Sequence, residues 1–518
     1  MNISNQINDF DGLNNFFILL TFQKTAMKKI FVFGFIFLFS LIFSQYYSEK
    51  YRPQFHFTPE KMWMNDPNGM VYFKGKYHLF YQYYPNANVW GPMHWGHAVS
   101  KDLIHWQHLP IALYPDKLGW IFSGSAVIDK ANTSGFGKNA MVAIFTYHND
   151  EIWKAGNKNT ESQGIAYSLD EGKTWTKYEG NPVLNNSGEQ DFRDPKVFWN
   201  DIIHQWTMVL AVHDHLQIYS SPNLKAWKLE STFKPDNDLE VGTWECPDLM
   251  QLKVENSKEV KWVLIQNHDR KAPNGGSGTR YFVGDFDGRT FKNTQPSIWL
   301  DSGTDSYAGV TFGNVPNHKK ILLSWMSNWF YATKVPTEAW RSAMALPREL
   351  SLEKINGEYI LKQKVVENFT KIAVPVFESK SIQLPYEKNI NLGQAEVKFD
   401  LQNSQNDFKI EVTNSKNEVF EIELKGNQLI TNRKKSGLVD FEEHFAEKHQ
   451  TMDLRNQKIR NVRLILDLAS AEILLNDGEF SMTNIFFPTE PYGVLKINSS
   501  RNSSVKNLKI NHIKSIWK

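Results

Sequence analysis

Cysteine is nearly absent. Cys246 stands alone in 518 residues, so no intrachain disulfide forms and thiolate metal clusters are excluded. Stability must come from packing, and Cys246 reads as a small buried hydrophobe rather than a nucleophile. An excess of one charge is lacking too: 58 Lys plus Arg face 56 Asp plus Glu, a formal net charge of +2. That balance supplies no field to gather nucleic acid or another polyanion. With no His-rich or EF-hand-like pattern, neither a metal nor an organic cofactor is implied. A comfortable membrane span is also missing. The longest apolar run, residues 30–43, is short and follows Met27-Lys28-Lys29, with small Ser44 before Gln45. This is the pattern of an export signal over residues 1–44, with Met27 as the start codon. The mature chain is then expected in the periplasm or outside the cell, with no stable membrane span.

From about residue 55 to 365 no apolar period of 3.6 extends over the length of a helix. Short strands alternate instead with Gly, Asn, Asp and Pro turns. Within this stretch a degenerate unit recurs: Ser100-Lys101-Asp102-Leu103-Ile104-His105-Trp106, Ser168-Leu169-Asp170-Glu171-Gly172-Lys173-Thr174-Trp175, and Ser221-Pro222-Asn223-Leu224-Lys225-Ala226-Trp227. Asp285-Phe286-Asp287-Gly288-Arg289-Thr290-Phe291 is a fainter copy, and a hairpin at Asn356-Gly357 completes a fifth. A four-stranded unit repeated every several tens of residues is the mark of a β-propeller blade. Residues 366–385 lose the alternation and read as a linker. Beyond them, Glu396-Val397-Lys398-Phe399-Asp400-Leu401 and Val462-Arg463-Leu464-Ile465-Leu466 alternate as half-buried strands do. The expected architecture is therefore all-β: a five-bladed propeller over residues 52–365, then a β-sandwich over 386–518.

Three strings place an acid beside a residue that stiffens the backbone: Trp63-Met64-Asn65-Asp66-Pro67-Asn68-Gly69, Phe192-Arg193-Asp194-Pro195-Lys196, and Glu245-Cys246-Pro247-Asp248-Leu249. Two carboxyls facing one bond, one a nucleophile and one a proton donor, are what glycoside hydrolysis requires. Aromatic residues make up 14% of the chain, including 17 Trp, and aromatic faces suit the C–H surfaces of sugars. Singly, each string has an ordinary reading. Asp66-Pro67-Asn68-Gly69 makes a good β-turn, Arg193 and Asp194 a surface ion pair, and Trp90 and Trp340 core aromatics.

Together with Phe122-Ser123-Gly124-Ser125-Ala126 and Trp340-Arg341-Ser342-Ala343-Met344, these strings resemble glycoside hydrolase family 32, the invertases, inulinases and levanases. The likeness is greatest to bacterial exo-type levanase-like fructan β-fructosidases. It runs from about Arg52 to the C-terminus and implies a propeller whose funnel holds the active site. It also implies Asp66 as nucleophile, Glu245 as general acid/base and Asp194 as transition-state stabiliser. The implied substrate contacts are Asn65, Gln82, Trp90, Phe122, Ser123, Arg193 and Trp340, with Trp63 and Tyr307 beside them. The implied partner is a fructan (levan or inulin) or sucrose; the oligomeric state is left open.

The chemistry of the residues runs the same way. Asp66 attacks as an anion, which hydrogen bonds from Asn65 favour. Glu245 must hold its proton, and an apolar setting beside Cys246 and Pro247 near other carboxylates has that effect. Retention of configuration follows, with the two carboxyls about 5–5.5 Å apart. Rival readings are an inverting arabinan- or xylan-cleaving propeller enzyme, a fructosyltransferase, and a fructan-binding protein with a dead site. Two departures from the family pattern stand out. Ser306 sits where Phe is common, and Leu468 and Ala469 interrupt the string between Asp467 and Glu472, so the C-terminal part is expected to pack rather than touch sugar.

Overall fold

The computed structural model describes residues 47–236, 242–401, 407–500 and 503–517. The leader expected over residues 1–44 lies outside these residues. Among the described residues the regular structure is almost entirely strand, the one α-helix being the short Asp150–Lys154. None of the described helices is long and apolar enough to cross a membrane.

Five antiparallel sheets follow one another, each with a four-stranded core. Their first strands are Met62–Phe73, Trp120–Asp129, Phe192–Asn200, Trp244–Lys253 and Tyr307–Thr311. Each first strand packs on the next, and Tyr307–Thr311 packs back on Met62–Phe73. Backbone bonds reinforce that last contact: Tyr72 N–H donates to the Gly313 carbonyl at 2.9 Å, and Gly313 N–H to Met70 at 2.9 Å. The short strand Trp340–Arg341 also pairs in parallel with Met62 and Trp63, tying the end of this region to its start.

The recurring Ser-x-Asp/Asn unit occupies the same junction in the first three sheets, between the third and fourth strands. Ser100 Oγ and Ser168 Oγ accept backbone N–H groups downstream, while Oδ1 of Asp102, Asp170 and Asn223 accepts further N–H groups of the same turn. These local bonds satisfy a backbone that has left its ladder. In all three the residue three after the Ser has positive φ (Leu103 69°, Glu171 65°, Leu224 63°). The indoles of Trp175 and Trp227 close the turn by donating to carbonyls three residues earlier, each at 3.1 Å. The fainter copy around Asp287 and the hairpin at Asn356-Gly357 sit at the equivalent junctions of the fourth and fifth sheets.

Two six-stranded antiparallel sheets follow. Phe399, Leu464 and Ile473 of one share a core with Phe408, Phe420 and Leu495 of the other. The segment expected as a linker, 366–385, instead holds the 3₁₀ turn Glu367–Ile372 and the strand Ala373–Gln383, which pairs with Ser504–Ile513 at the edge of one of these sheets. Most of its side chains are exposed or half-exposed, and without a buried face it carries no apolar alternation to read.

A dense buried polar cluster joins this pair of sheets to the five before it. His56 lies between Asp467 (2.8 Å) and Glu472 (2.9 Å). Arg348 donates to Glu472 at 2.6 Å and to Asp301 at 3.2 Å. Ser481 and Thr483 also donate to Asp301, at 2.6 and 2.7 Å. Nearby, Arg433 and Tyr331 both donate to Asp305, at 2.7 and 2.5 Å.

Candidate active site

Every one of the five first strands has the same irregularity near its start. Three residues advance against two on the partner strand, so an extra residue is inserted between Met64 and Pro67, Ile121 and Gly124, Arg193 and Lys196, Glu245 and Asp248, and Tyr307 and Val310. These are β-bulges, which re-aim side chains and interrupt the ladder where proline is tolerated. Pro67, Pro195 and Pro247 therefore mark bulges inside strands, not the tight turns their sequences resemble. Three bulge residues have positive φ, Asp194 at 64°, Cys246 at 44° and Ala308 at 53°. Such conformations cost roughly 1–3 kcal/mol each for a non-glycine residue and persist where the surrounding structure enforces them.

The bulges bring Asp66, Asp194 and Glu245 into one cavity of about 470 Å³. Of the other expected residues, Asn65, Gln82, Trp90, Phe122, Ser123 and Arg193 also line it. Asp66 is gripped from two sides: Asn65 Nδ2 donates to Oδ1 at 3.0 Å and Ser123 Oγ to Oδ2 at 2.8 Å. Trp63 does not line the cavity. It is fully buried behind it, and its indole N–H donates to Asn65 Oδ1 at 2.8 Å, fixing which end of the amide faces Asp66. Tyr307 is likewise buried, but its hydroxyl donates to Glu245 Oε2. Trp340 does not line the cavity: it is a buried aromatic with the Arg52 guanidinium 4.4 Å from its ring centroid. Gln82 has a buried amide nitrogen without a hydrogen-bond partner, a donor left over for a ligand oxygen.

Cys246 lies between two of the carboxylates. Its N–H donates to Asp194 Oδ2 at 3.0 Å, and its Sγ is 3.5 Å from Asp66 Oδ2 and 3.6 Å from Asp194 Oδ2. Burial, with the charges of Asp194 and Asp66, pushes the thiol well above its ordinary range. It stays a thiol and a weak donor. Burial also raises Asp194 to about 6, helped by the charge of Asp66 and opposed by Arg193 and the Cys246 N–H. Glu245 is pushed further, to about 8, by burial and by Asp194, Asp269 and Asp66, with Arg193 opposing.

Arg193 donates to Glu245 Oε1 through Nη2 at 2.9 Å, to Asp191 at 2.6 Å and to Glu161 at 3.3 Å. Asp191, Glu161, His148, Trp153, Gln190 and Trp329 line the cavity as well, and none of them was expected from sequence. Asp191 carried a usable signal, an acid two residues before an arginine that needs a counter-charge. Glu161 carried none: the residues it holds, Arg193 and the Phe192 N–H at 3.1 Å, are distant in sequence. His148 lies flat on Phe122, ring centroids 4.3 Å apart and planes within 7°, and Trp329 stacks on Trp63 at 6.0 Å.

A carboxyl held toward its protonated form, a second gripped only by neutral donors, and aromatic walls around an open cavity are the equipment of a glycosidase. Residues 56–364 match the glycosyl hydrolases family 32 N-terminal domain and residues 361–512 the family 32 C-terminal domain, and the chain belongs to this family. It is 43% identical over 489 residues to a levanase of Bacillus subtilis, covering 90% of this chain and 71% of the levanase. It is 38% identical to an extracellular exo-inulinase of Aspergillus ficuum, over 85% of this chain and 90% of that protein. Among solved structures, the exo-inulinase of Aspergillus awamori superposes with a TM-score of 0.82 at 34% identity, covering 91% of this chain and all of that one. The β-fructofuranosidase of Schwanniomyces occidentalis, complexed with fructosyl-erythritol, gives 0.80 at 34% identity over 90% and 98% of the two chains.

Proposed function

We propose that this chain is an exported, retaining β-fructofuranosidase that releases fructose from levan, inulin or sucrose. The observation that carries the reading is the set of bulges that directs Asp66, Asp194 and Glu245 into one cavity, with Glu245 biased toward its acid form. Glu245 protonates the leaving oxygen as Asp66 attacks the anomeric carbon, giving a fructosyl ester on Asp66. Deprotonated Glu245 then takes a proton from water, which displaces Asp66 and returns the proton inventory to its start. Asp194 accepts hydrogen bonds from ring hydroxyls that tighten as the sugar gains oxocarbenium character. Arg193 steadies Glu245 once it is ionised, and Tyr307 positions the same carboxyl. Asn65, Gln82 and Ser123 hydrogen-bond the fructosyl unit while Trp90 and Phe122 pack against it. Trp63 and Trp340 act from behind the wall.

The five sheets with their cycle of inner-strand contacts support a five-bladed propeller over residues 52–365. The paired six-stranded sheets support a β-sandwich that begins at strand Ala373–Gln383 rather than at residue 386. Export through the leader is supported by residues 27–45 and by relatives that are described as extracellular. The deciding experiment is chromatography of products from levan, inulin and sucrose, using protein from Gln45 onward with Asp66→Asn as control. Fructose released steadily and lost in the control is the expected result. Activity on arabinan alone, or binding without release from all three substrates, would overturn the reading.

A further inference from the structure

The five first strands have two ends. Four of them run from the catalytic side to a second hollow: Asp66 leads to Tyr72, Arg193 to Trp199, Glu245 to Asp248 and beyond, and Tyr307, whose hydroxyl reaches Glu245, to Thr311. At about 3.3 Å per residue its near edge, at Lys196 and Asp248, lies roughly 7–10 Å along the strands from Asp194 and Glu245, and its far edge, at Tyr72 and Trp199, roughly 15–20 Å from Asp66 and Asp194. The hollow measures about 630 Å³ and adjoins another of about 460 Å³ that shares Phe198, Trp199 and Asn314 with it. Both volumes lie in the usual range for a ligand site, roughly 300–1,000 Å³.

The walls carry unused recognition chemistry. Trp199 is 40% exposed, an unusual setting for tryptophan, and it is held upright edge-to-face on Trp206, centroids 5.2 Å apart. A rigid exposed indole is a stacking platform that loses little entropy on binding. Asp248 lines the same hollow and is fully buried. Its Oδ2 is satisfied by Thr311 Oγ1 at 2.7 Å and Lys196 Nζ at 2.9 Å, but its Oδ1 has no hydrogen-bond partner. A buried acceptor without a donor is costly unless a ligand or water supplies one. The Lys320 side chain lines the same wall and offers donors. An acceptor, a donor and an aromatic face together suit a neutral polyol.

We propose that this far mouth is a second, non-catalytic binding site for a polysaccharide chain, with Trp199 stacking on a sugar ring and Asp248 Oδ1 accepting from a hydroxyl. The choice of fructan as that chain rests on the fructosidase reading. Bound there, a polymer keeps the enzyme on its substrate and raises the local concentration of chain ends at the catalytic mouth.

The test is affinity electrophoresis of Asp66→Asn protein through native gels containing levan or inulin, with excess free fructose filling the catalytic cavity. Retardation is expected to persist with fructose, to vanish in the Asp66→Asn, Trp199→Ala double variant, and to survive Trp199→Phe. In otherwise wild-type enzyme, Trp199→Ala should lower kcat/KM on polymer about 3- to 10-fold and leave sucrose hydrolysis unchanged, which also reports correct folding. Equal retardation with and without Trp199, or an unchanged polymer-to-sucrose ratio, would overturn the proposal. Absence of hydrolysis on every fructan would instead sink the fructosidase reading, and the gels, which need no turnover, would still decide this one.

Discussion

Two buried ionic clusters in this molecule use the same residue types to opposite ends. At the junction with the paired sheets, Arg348, His56, Asp467, Glu472 and Asp301 are matched donor to acceptor. Against the cost of burial, the hydrogen bonds of Asp467 and Glu472 hold His56 charged, up to about 9. Against the same cost, Arg348 and His56 hold Glu472 down to about 2. In the catalytic cavity five carboxyls, Asp66, Glu161, Asp191, Asp194 and Glu245, face one guanidinium. One arginine serves Glu245, Asp191 and Glu161, and Asp194 and Glu245 are driven toward protonation. In the joint, cations and hydroxyls together satisfy the acids and keep His56 and Glu472 ionised, whereas in the cavity the shortage of positive charge leaves a carboxyl able to give and take a proton near neutral pH.

The largest break in that contrast comes from removing the catalytic carboxyls. Asp66→Asn is expected to cut kcat on the order of 10⁴-fold or more. Glu245→Gln should cost on the order of 10² to 10⁴, with most of the loss recovered on an aryl fructoside whose leaving group needs no proton. Equal loss on both substrates would remove Glu245 from the acid role. At the joint, Arg348→Met strands Glu472 and Asp301 in the interior, and about 3–5 kcal/mol of stability should go with it. The measurement is the urea midpoint of the whole chain, with kcat/KM of the folded enzyme little changed.

Within the joint the two shifted groups respond to pH with opposite signs, and Glu245 of the cavity shares the sign of His56. His56 has a folded pKa above its ordinary 6.5, so its contribution to stability is complete below 6.5 and is lost as pH rises toward 9. Glu472 is depressed, and its contribution is complete above 4.5 and lost as pH falls toward 2. Glu245 is raised, so as pH climbs from 4.5 through about 8 its ionisation destabilises the fold. Glu245→Gln should therefore melt higher than wild type at alkaline pH, with the gap closing on acidification. For catalysis, kcat/KM should fall as pH rises through about 8. Glu161→Gln, by freeing Arg193 to act on Glu245, should move that alkaline limb to lower pH without a comparable change in KM; an unmoved limb would make Glu161 merely structural. The smallest effect is expected at the exposed Lys319–Glu349 pair: Lys319→Ala should change stability by no more than about 1 kcal/mol.

Much of this was legible in the sequence because it depends on local bonding. The Ser-x-Asp/Asn turns marked the sheets, since each side chain bonds its own backbone, and Pro67, Pro195 and Pro247 marked the rigid acids. What stayed hidden depends on contacts distant along the chain. Glu161 acquires its role from Arg193, 32 residues on. Trp340 reads as a ligand platform from its string, yet it is buried under Arg52. Strand Ala373–Gln383 has no buried face to betray it. The bulges themselves were only half visible, because a proline beside an acid signals a turn as readily as an interruption within a strand.

Those bulges also set how this enzyme can change. Side chains alternate along a strand, so deleting the extra residue at any one bulge would exchange inward and outward faces along the rest of that strand. The loss would not stop at the acid or its neighbour, because the same register sets which residues reach the far mouth. A one-residue deletion at Asp66 would therefore disturb both openings at once, and no sequence of small shifts leads around it. Substitutions at the rim, at Trp153 and the loop behind it, leave that register untouched.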